Sequence, residues 1–509
     1  MNPAAPTAPT PTTPAATVIP ASWLVGQRAY RRRTPRGPIT LRLDANEGEG
    51  PSPEMLESLR ERFGAWCSTY PDASHLEATI AAREGIPPES VLVTAGADDA
   101  LQRLCRVMLE PGRRALMTRP TFEMIPRMVR SVGAAVDEVP WMDGPFPARR
   151  MAERVSPETS IIFVVSPNNP TGQVATAADL AALSKAAPDA LIVLDHAYVE
   201  FAEQDLSRTA MQLPNVAVTK TMSKAWGLAG LRVGFLLAPP QVVVWARAAG
   251  LPYAVSGLSL ALAGRCLAEG ERAMRSRAAR TRAEVGELTR ILSTLGARPL
   301  PSEANFVLAR VKDAALLSDL LAGLGIAVRA FPDQDDLAGC VRIGCPGEEG
   351  LFRRLADALR ASLRPEAILL DLDALTSTDV AKTLGPAEDV RRWAGRYSIG
   401  LVTATQQGPA ERWAREHGLA DVITVLRDGP DLVSSGANRF ESALARLGVR
   451  SAWVITATPE GVGAARSASA APLGITPAGD GSVNRTDELL SAGAARVLTS
   501  LSQFSEILP

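Results

Sequence analysis

From Ser90 onward the chain alternates short apolar runs with turns of small or polar residues and with amphipathic stretches. SVLVTAGADDALQRLCRVML reads as a strand, a turn and a helix, and RALMTRPTFEMIPRMV as a strand ending near Pro120-Thr121-Phe122. SIIFVVSPNNPTG is rich in β-branched and aromatic residues and ends in a Ser, Pro, Asn and Gly turn, as expected of a buried parallel strand delivering a loop. ALIVLDHAYVEF predicts a second such strand. After Gly250 a helical pattern resumes in PYAVSGLSLALAGRCL and in the long charged ERAMRSRAARTRAEVGELTRILSTLG, followed by strand-like SEANFVLARV, GIAVRAF and GCVRIGCPGEEG. A further strand, EAILLDLDALTSTDV, opens another unit at Pro365. The expected fold class is α/β, with ligands at the carboxyl ends of the strands.

A chain of 509 residues is too long for one compact domain. The first twenty residues are Pro, Ala and Thr rich and uncharged, and are expected to be a disordered leader. The expected units are an arm at 21–53, a large domain at about 54–250, a small domain at about 251–364 and a last unit at 365–509. A net charge of −1 gives no basic face for nucleic acid or anionic membrane. No run is long and apolar enough to span a bilayer, and the prolines of the leader interrupt any signal-like stretch. The five cysteines, Cys67, Cys105, Cys266, Cys340 and Cys345, form no CxxC pair, so no structural metal and a reduced cytoplasmic setting are expected.

The candidate chemistry centres on TKTMSKAWGLAGLRVGF, residues 219–235. Lys224 stands between hydroxylated residues and a glycine-rich turn, and Thr221, Ser223 and Arg232 are anion-binding types. Gly227, Gly230 and Gly234 are expected to let the backbone pass close to a bulky ligand. Upstream, Gly96-Ala97-Asp98 begins a helix and offers free backbone N–H groups to an anion. Asp195 ends an apolar strand, where a buried carboxylate requires a cation or proton donor. His196 reads as packing rather than chemistry, because Lys224 already supplies a base.

These pieces, in the order phosphate turn, Asn loop, Asp strand and Lys turn, resemble fold-type I pyridoxal-phosphate enzymes, most closely histidinol-phosphate aminotransferases, from about Thr40 to Arg364. The resemblance implies a large domain with a mixed, mostly parallel sheet, a small α/β domain, pyridoxal 5'-phosphate as cofactor, and a homodimer. It makes Lys224 the Schiff-base lysine and proton carrier. Asp195 then pairs with the pyridine nitrogen, Asn169 and Tyr198 reach the ring oxygen, and Phe122 stacks on the ring. Gly96, Ala97, Asp98, Thr221, Ser223 and Arg232 hold the phosphate, while Asn46, Arg329 and Arg342 meet the substrate. The chain departs from the family at Gly48-Glu49-Gly50, where relatives have a Pro-aromatic-Gly step. The implied reaction is ping-pong transamination between a small-molecule amino donor and a 2-oxo acid, with histidinol phosphate and the glutamate/2-oxoglutarate pair as candidates. A decarboxylase of a phosphorylated amino acid remains the alternative on the same cofactor.

In the last unit, Asp371 and Asp373 resemble the first motif of haloacid-dehalogenase-like phosphatases, and Thr403 in IGLVTATQQ resembles the second. The lysine of that family is replaced by the region around Ser434, and its magnesium aspartates by Ala457 and Gly461, with Glu460 the acid nearby. A degenerate Rossmann-like unit without phosphatase chemistry is expected, a bifunctional chain being the alternative.

Overall fold

The computed structural model describes residues 21–25, 35–57, 59–372, 387–403, 407–427, 438–476 and 482–509. The leader expected at 1–20, Asp373 and Ser434 lie outside the described residues.

The arm contributes β1 (Leu41–Arg42), and a seven-stranded sheet follows. Its strands are β2 (Val91–Thr94), β3 (Arg114–Arg119), β4 (Ala135–Pro140), β5 (Thr159–Val165), β6 (Leu191–Asp195), β7 (Val216–Thr221) and β8 (Gly234–Leu237). They lie in the order β2-β8-β7-β6-β5-β3-β4. β8 runs against both its neighbours and the other adjacent pairs are parallel. Alternate residues enter two different cores: Ile162, Val164, Ile192 and Leu194 pack on one face, and Ile161, Phe163, Leu191 and Val193 on the other. Burial on both faces is why these strands read as unbroken apolar runs.

The topology gathers the candidate segments. Residues 96–98, 121–122, 169, 195 and 223–224 all sit at or just past the carboxyl ends of β2, β3, β5, β6 and β7, along one edge of the sheet. Because β8 is antiparallel, its start brings Arg232 to that same edge.

The helix Gly257–Glu269 packs against the large-domain core through Leu260, Leu262, Ala263 and Cys266. The long helix Glu271–Thr294 begins in that core with Met274 and Ala278, then enters another with Val285, Leu288 and Leu292. In packing terms the large domain therefore extends past residue 250. The small domain holds β9 (Arg298–Pro299), β10 (Phe306–Arg310), β11 (Ile326–Ala327), β12 (Arg329–Ala330) and β13 (Cys340–Gly344). Four of them form an antiparallel sheet in the order β12-β13-β10-β9, while β11 pairs with β1 of the arm in a parallel ladder.

The last unit is a six-stranded parallel sheet of β14 (Ala367–Asp371), β15 (Ser398–Thr403), β16 (Ile423–Arg427), β17 (Ala452–Thr456), β18 (Ala471–Ile475) and β19 (Val497–Leu498). The order β16-β15-β14-β17-β18-β19 is that of a doubly wound α/β sheet. One apolar core runs from small-domain residues such as Leu317, Leu321 and Leu359 into Ile368, Trp453 and Leu473 of this sheet. Trp453 Nε1 donates to the Ala361 carbonyl at 2.8 Å across that boundary.

Candidate active site

A cavity of about 370 Å³ opens at the carboxyl edge of the large sheet, under the small domain and the arm. Lys224, Asp195, Tyr198, Asn169, Phe122, Arg232, Arg329, Arg342 and Asn46 all line it, as do Ala97, Asp98, Thr221 and Ser223.

Lys224 Nζ donates to the Ala45 carbonyl at 2.9 Å and lies 5.7 Å from the centre of the Tyr198 ring. Its near neighbour Lys220 is a different case. That side chain is buried in a separate, larger cleft of about 820 Å³, where Glu84 and Asp205 each lie 3.1 Å from its Nζ. A lysine neutralised by two carboxylates has no part in the smaller cavity.

Asp195 is 3% exposed and accepts a hydrogen bond from Thr219 Oγ1 at 3.2 Å. Burial pushes its carboxyl up to about 7, and no ion pair of the described residues includes it. A cation delivered into the cavity would relieve that desolvation. His196 is buried beside it, with Nδ1 against the Ser166 carbonyl and Nε2 accepting from the Leu206 N–H at 3.2 Å. Burial lowers its pKa to about 4, which keeps the ring neutral.

At the other end of the cavity, Gly96 is the N-cap of the helix Ala97–Met108, with φ 83°. That left-handed φ favours glycine, and a Cβ there would lie 2.7 Å from Arg232 Nη2, so the guanidinium sits close against this helix start. Arg232 also donates to Ser223 Oγ at 3.4 Å and pairs with Asp98 at 3.2 Å, and Thr221 Oγ1 donates to Ser223 Oγ at 2.9 Å. A helix N-terminus, two hydroxyls and an arginine together could hold an anion.

Two of the three glycines of the lysine turn are packed against protein backbone. A Cβ on Gly227 would meet the Glu49 carbonyl at 1.7 Å, and one on Gly234 the Gly96 backbone at 2.5 Å, while Gly230 has nothing within 4 Å. Gly227 and Gly234 thus admit protein backbone, while beside Gly230 the described residues leave open space. The same constraint explains Gly48, where a Cβ would lie 2.1 Å from the Lys224 carbonyl. The arm is packed directly on the lysine turn.

Tyr198 OH accepts from Asn46 Nδ2 at 3.0 Å, and its ring meets Phe306 edge to face at 5.2 Å. Arg342 donates through Nη1 to Asn169 Oδ1 and through Nη2 to the Asp44 carbonyl, both at 2.6 Å. Arg329 pairs with Glu123 Oε1 at 3.1 Å, and Gln334 Nε2 lies 3.5 Å from Glu123 Oε2. Glu123, Gln334 and the carbonyls of Asp44 and Ala45 were not anticipated. Asn168 was also missed: it ties the loop to its neighbour by donating to the Pro120 carbonyl at 3.0 Å and accepting from Thr121 Oγ1 at 3.0 Å. The doubled asparagine before Pro170 was the available signal for it.

Away from this cavity, the carboxyl edge of the last sheet carries Asp371, Thr403 and Thr456, all fully buried. Asp371 Oδ2 accepts from Thr456 Oγ1 at 2.7 Å and from Arg439 Nη2 at 2.8 Å.

A large sheet with its lysine, buried aspartate and anion cradle on one edge, closed by a small domain and an arm, defines a class of amino-group-transferring enzyme. The sequence profile described as aminotransferase class I and II matches residues 40–359, and the chain belongs to that family. It is an aminotransferase. Over 333 residues it is 35% identical to a histidinol-phosphate aminotransferase of Symbiobacterium thermophilum, covering 64% of this chain and 90% of that one. An aromatic amino acid aminotransferase of Mycobacteroides abscessus is 34% identical over 334 residues, 64% of this chain and 94% of that protein. Among solved structures, histidinol-phosphate aminotransferase from Sinorhizobium meliloti, in complex with pyridoxal-5'-phosphate, superposes with a TM-score of 0.61 at 26% identity, covering 69% of this chain and 99% of that one.

Proposed function

We propose that the chain catalyses transamination between an amino acid or phosphorylated amino alcohol and a 2-oxo acid, with histidinol phosphate and the glutamate/2-oxoglutarate pair as substrates. The cofactor is pyridoxal 5'-phosphate. The observation that carries this reading is the buried Asp195 carboxyl, pushed up to about 7, at one end of a cavity whose other end is the Gly96–Arg232 cradle. A ring bearing a cationic nitrogen at one end and a phosphate at the other fits that polarity. Gly96, Ala97, Asp98, Thr221, Ser223 and Arg232 hold the phosphate, Asp195 the ring nitrogen, Asn169 and Tyr198 the ring oxygen, and Phe122 the ring face.

When bound, the cofactor supplies an electron sink for the substrate's α-carbon. Lys224 Nζ is the group that takes and returns the α-proton, and the Ala45 carbonyl orients it. Asn46 holds the Tyr198 hydroxyl, and Arg342 presents a planar fork to a substrate anion. Phosphorylated substrates would engage Arg329 by displacing Glu123. A second reading, an amino acid with an uncharged side chain, is favoured by that same Glu123–Arg329 pair, which leaves the distal pocket charge-balanced.

Exposed Leu56, Phe63, Tyr70, Trp245, Leu251 and Tyr253 support a homodimer, and five free cysteines support a cytoplasmic setting. Residues 365–509 form a haloacid-dehalogenase-like unit without phosphatase chemistry; the Asp371 oxygen held by Arg439 and Thr456 supports its inactivity. A donor screen that follows the cofactor's absorbance tests the function. Conversion to the amine form with glutamate, reversed by 2-oxoglutarate, is expected. Release of carbon dioxide without a 2-oxo product would favour the lyase.

A further inference from the structure

The arm that covers the lysine is anchored at its far end by the C-terminal unit. Arg466, in the helix Pro459–Ser467 of that unit, donates to the Pro38 carbonyl and to the Gly323 carbonyl, both at 2.7 Å. Gly323 ends the small-domain helix Ala314–Gly323, so its carbonyl has no partner further along that helix and welcomes a cation. Beside it, a Cβ on Gly37 would lie 2.5 Å from Gly493 Cα, which places the arm in backbone contact with the same unit. Arg36 also pairs with Asp487 there.

From Pro38 the chain runs to the active site in seven residues. On the way it forms a two-residue ladder with β11 through Leu41 and Arg42, flanked by the Leu43 N–H to the Ala327 carbonyl at 2.9 Å, the Gly344 N–H to the Leu43 carbonyl at 3.2 Å and Arg354 Nη2 to Thr40 Oγ1 at 2.6 Å. Its end then supplies the Asp44 carbonyl to Arg342, the Ala45 carbonyl to Lys224 and Asn46 to Tyr198. These contacts are few beside those of the sheets, and the site would lose three contacts together each time the arm opened.

We propose that Arg466 is a positioning residue, and that the C-terminal unit serves the transaminase by clamping the arm closed over the lysine. The proposal rests on the function assigned above. It accounts for a sheet that shares one core with the small domain yet has its strand-end aspartate bound internally. Without the clamp only a fraction of molecules have a complete site, and apparent substrate affinity falls by that fraction while turnover of the closed form is kept.

The test compares full-length holoenzyme variants by amide hydrogen exchange of residues 39–46 and by KM and kcat. In R466A, exchange across the arm accelerates at least about tenfold and KM for both substrates rises roughly 5–10-fold, with kcat within about threefold. R466K recovers part of both effects, because one ammonium can replace one of the two bonds. R496A breaks a contact of the same unit to Asp319 that does not touch the arm, and matches wild type in both readouts. G37A forces the arm off Gly493 without removing a buried charge, and gives the R466A pattern even if R466A does not fold. An arm whose exchange is unchanged in R466A or G37A overturns the proposal, as does an arm that loosens with no change in KM. A wild-type protein without transaminase activity whose arm still loosens in these variants contradicts the assigned function and upholds the clamp.

Discussion

The Nζ of Lys224 and the carbonyl of Ala45, 2.9 Å apart, join the carboxyl edge of the large sheet to the amino-terminal arm. The lysine is held by a main-chain oxygen, which cannot be substituted away, and the arm's own fit against the lysine turn depends on the absence of a side chain at residue 48.

Gly48→Ala tests that fit. The added Cβ would sit 2.1 Å from the Lys224 carbonyl, a backbone atom that cannot swing aside. Either the arm or the lysine turn must move. The expected result is a loss of kcat/KM of about 10–100-fold, equivalent to roughly 1.4–3 kcal/mol, with the melting temperature changed by only a few degrees. Activity within twofold of wild type would contradict the packing described.

Asp195 makes stability depend on pH in a particular direction. Burial raises its folded pKa to about 7. Between the ordinary carboxylate range and that value the folded chain keeps a proton that the unfolded chain has released. This contribution is therefore fully present below about pH 4 and is lost as pH rises to 7, by on the order of a few kcal/mol. Glu200 and Glu284, also raised to about 7 by burial, act with the same sign, and His196, lowered to about 4, acts with the opposite one. Asp195→Asn removes only the first term. Thermal melts of the cofactor-free proteins from pH 4.5 to 7.5 are expected to show a smaller decline in the variant, and pyridoxal phosphate should shrink the difference.

Glu123→Gln addresses the substrate pocket. Removing the carboxylate takes away the negative charge that competes with a substrate's distal anion for Arg329. KM for substrates with a second carboxylate or a phosphate is expected to fall about 3–10-fold, and KM for aromatic or aliphatic amino acids to stay level or rise. Equal effects on both classes would remove Glu123 from specificity.

Asp371→Asn should leave transamination unchanged. The substitution removes the charge opposite Arg439 in the last unit, at an expected cost of up to about 3–5 kcal/mol that lowers the melting temperature. Magnesium-dependent phosphate release by the wild-type chain, abolished in the variant, would instead show a working phosphatase.

Much of the large domain was legible in the sequence because both faces of its sheet are buried. Ile161 to Val165 and Leu191 to Leu194 feed two cores alternately, so the strands announce themselves as unbroken apolar runs ending in polar turns. Lys224, Asp195 and Arg232 were readable because each carries a charge at such a strand end. Gly227 and Gly234 were misread, since a sequence does not reveal whether bare backbone faces a ligand or, as for Gly227 and Glu49, another stretch of chain. Glu123, the Ala45 carbonyl and Arg466 were not visible for a related reason. Their partners lie 206, 179 and 428 residues away, and an arginine on an exposed-looking helix gives no hint of a carbonyl at Pro38.

The role of Lys224 can be tested covalently. The purified protein is incubated with pyridoxal phosphate, reduced with borohydride, digested and mapped by mass spectrometry. A visible absorbance band before reduction is expected, with a single pyridoxyl modification on Lys224 and Lys220 unmodified. A protein that stays colourless, or label found elsewhere and absent from Lys224, would contradict that role.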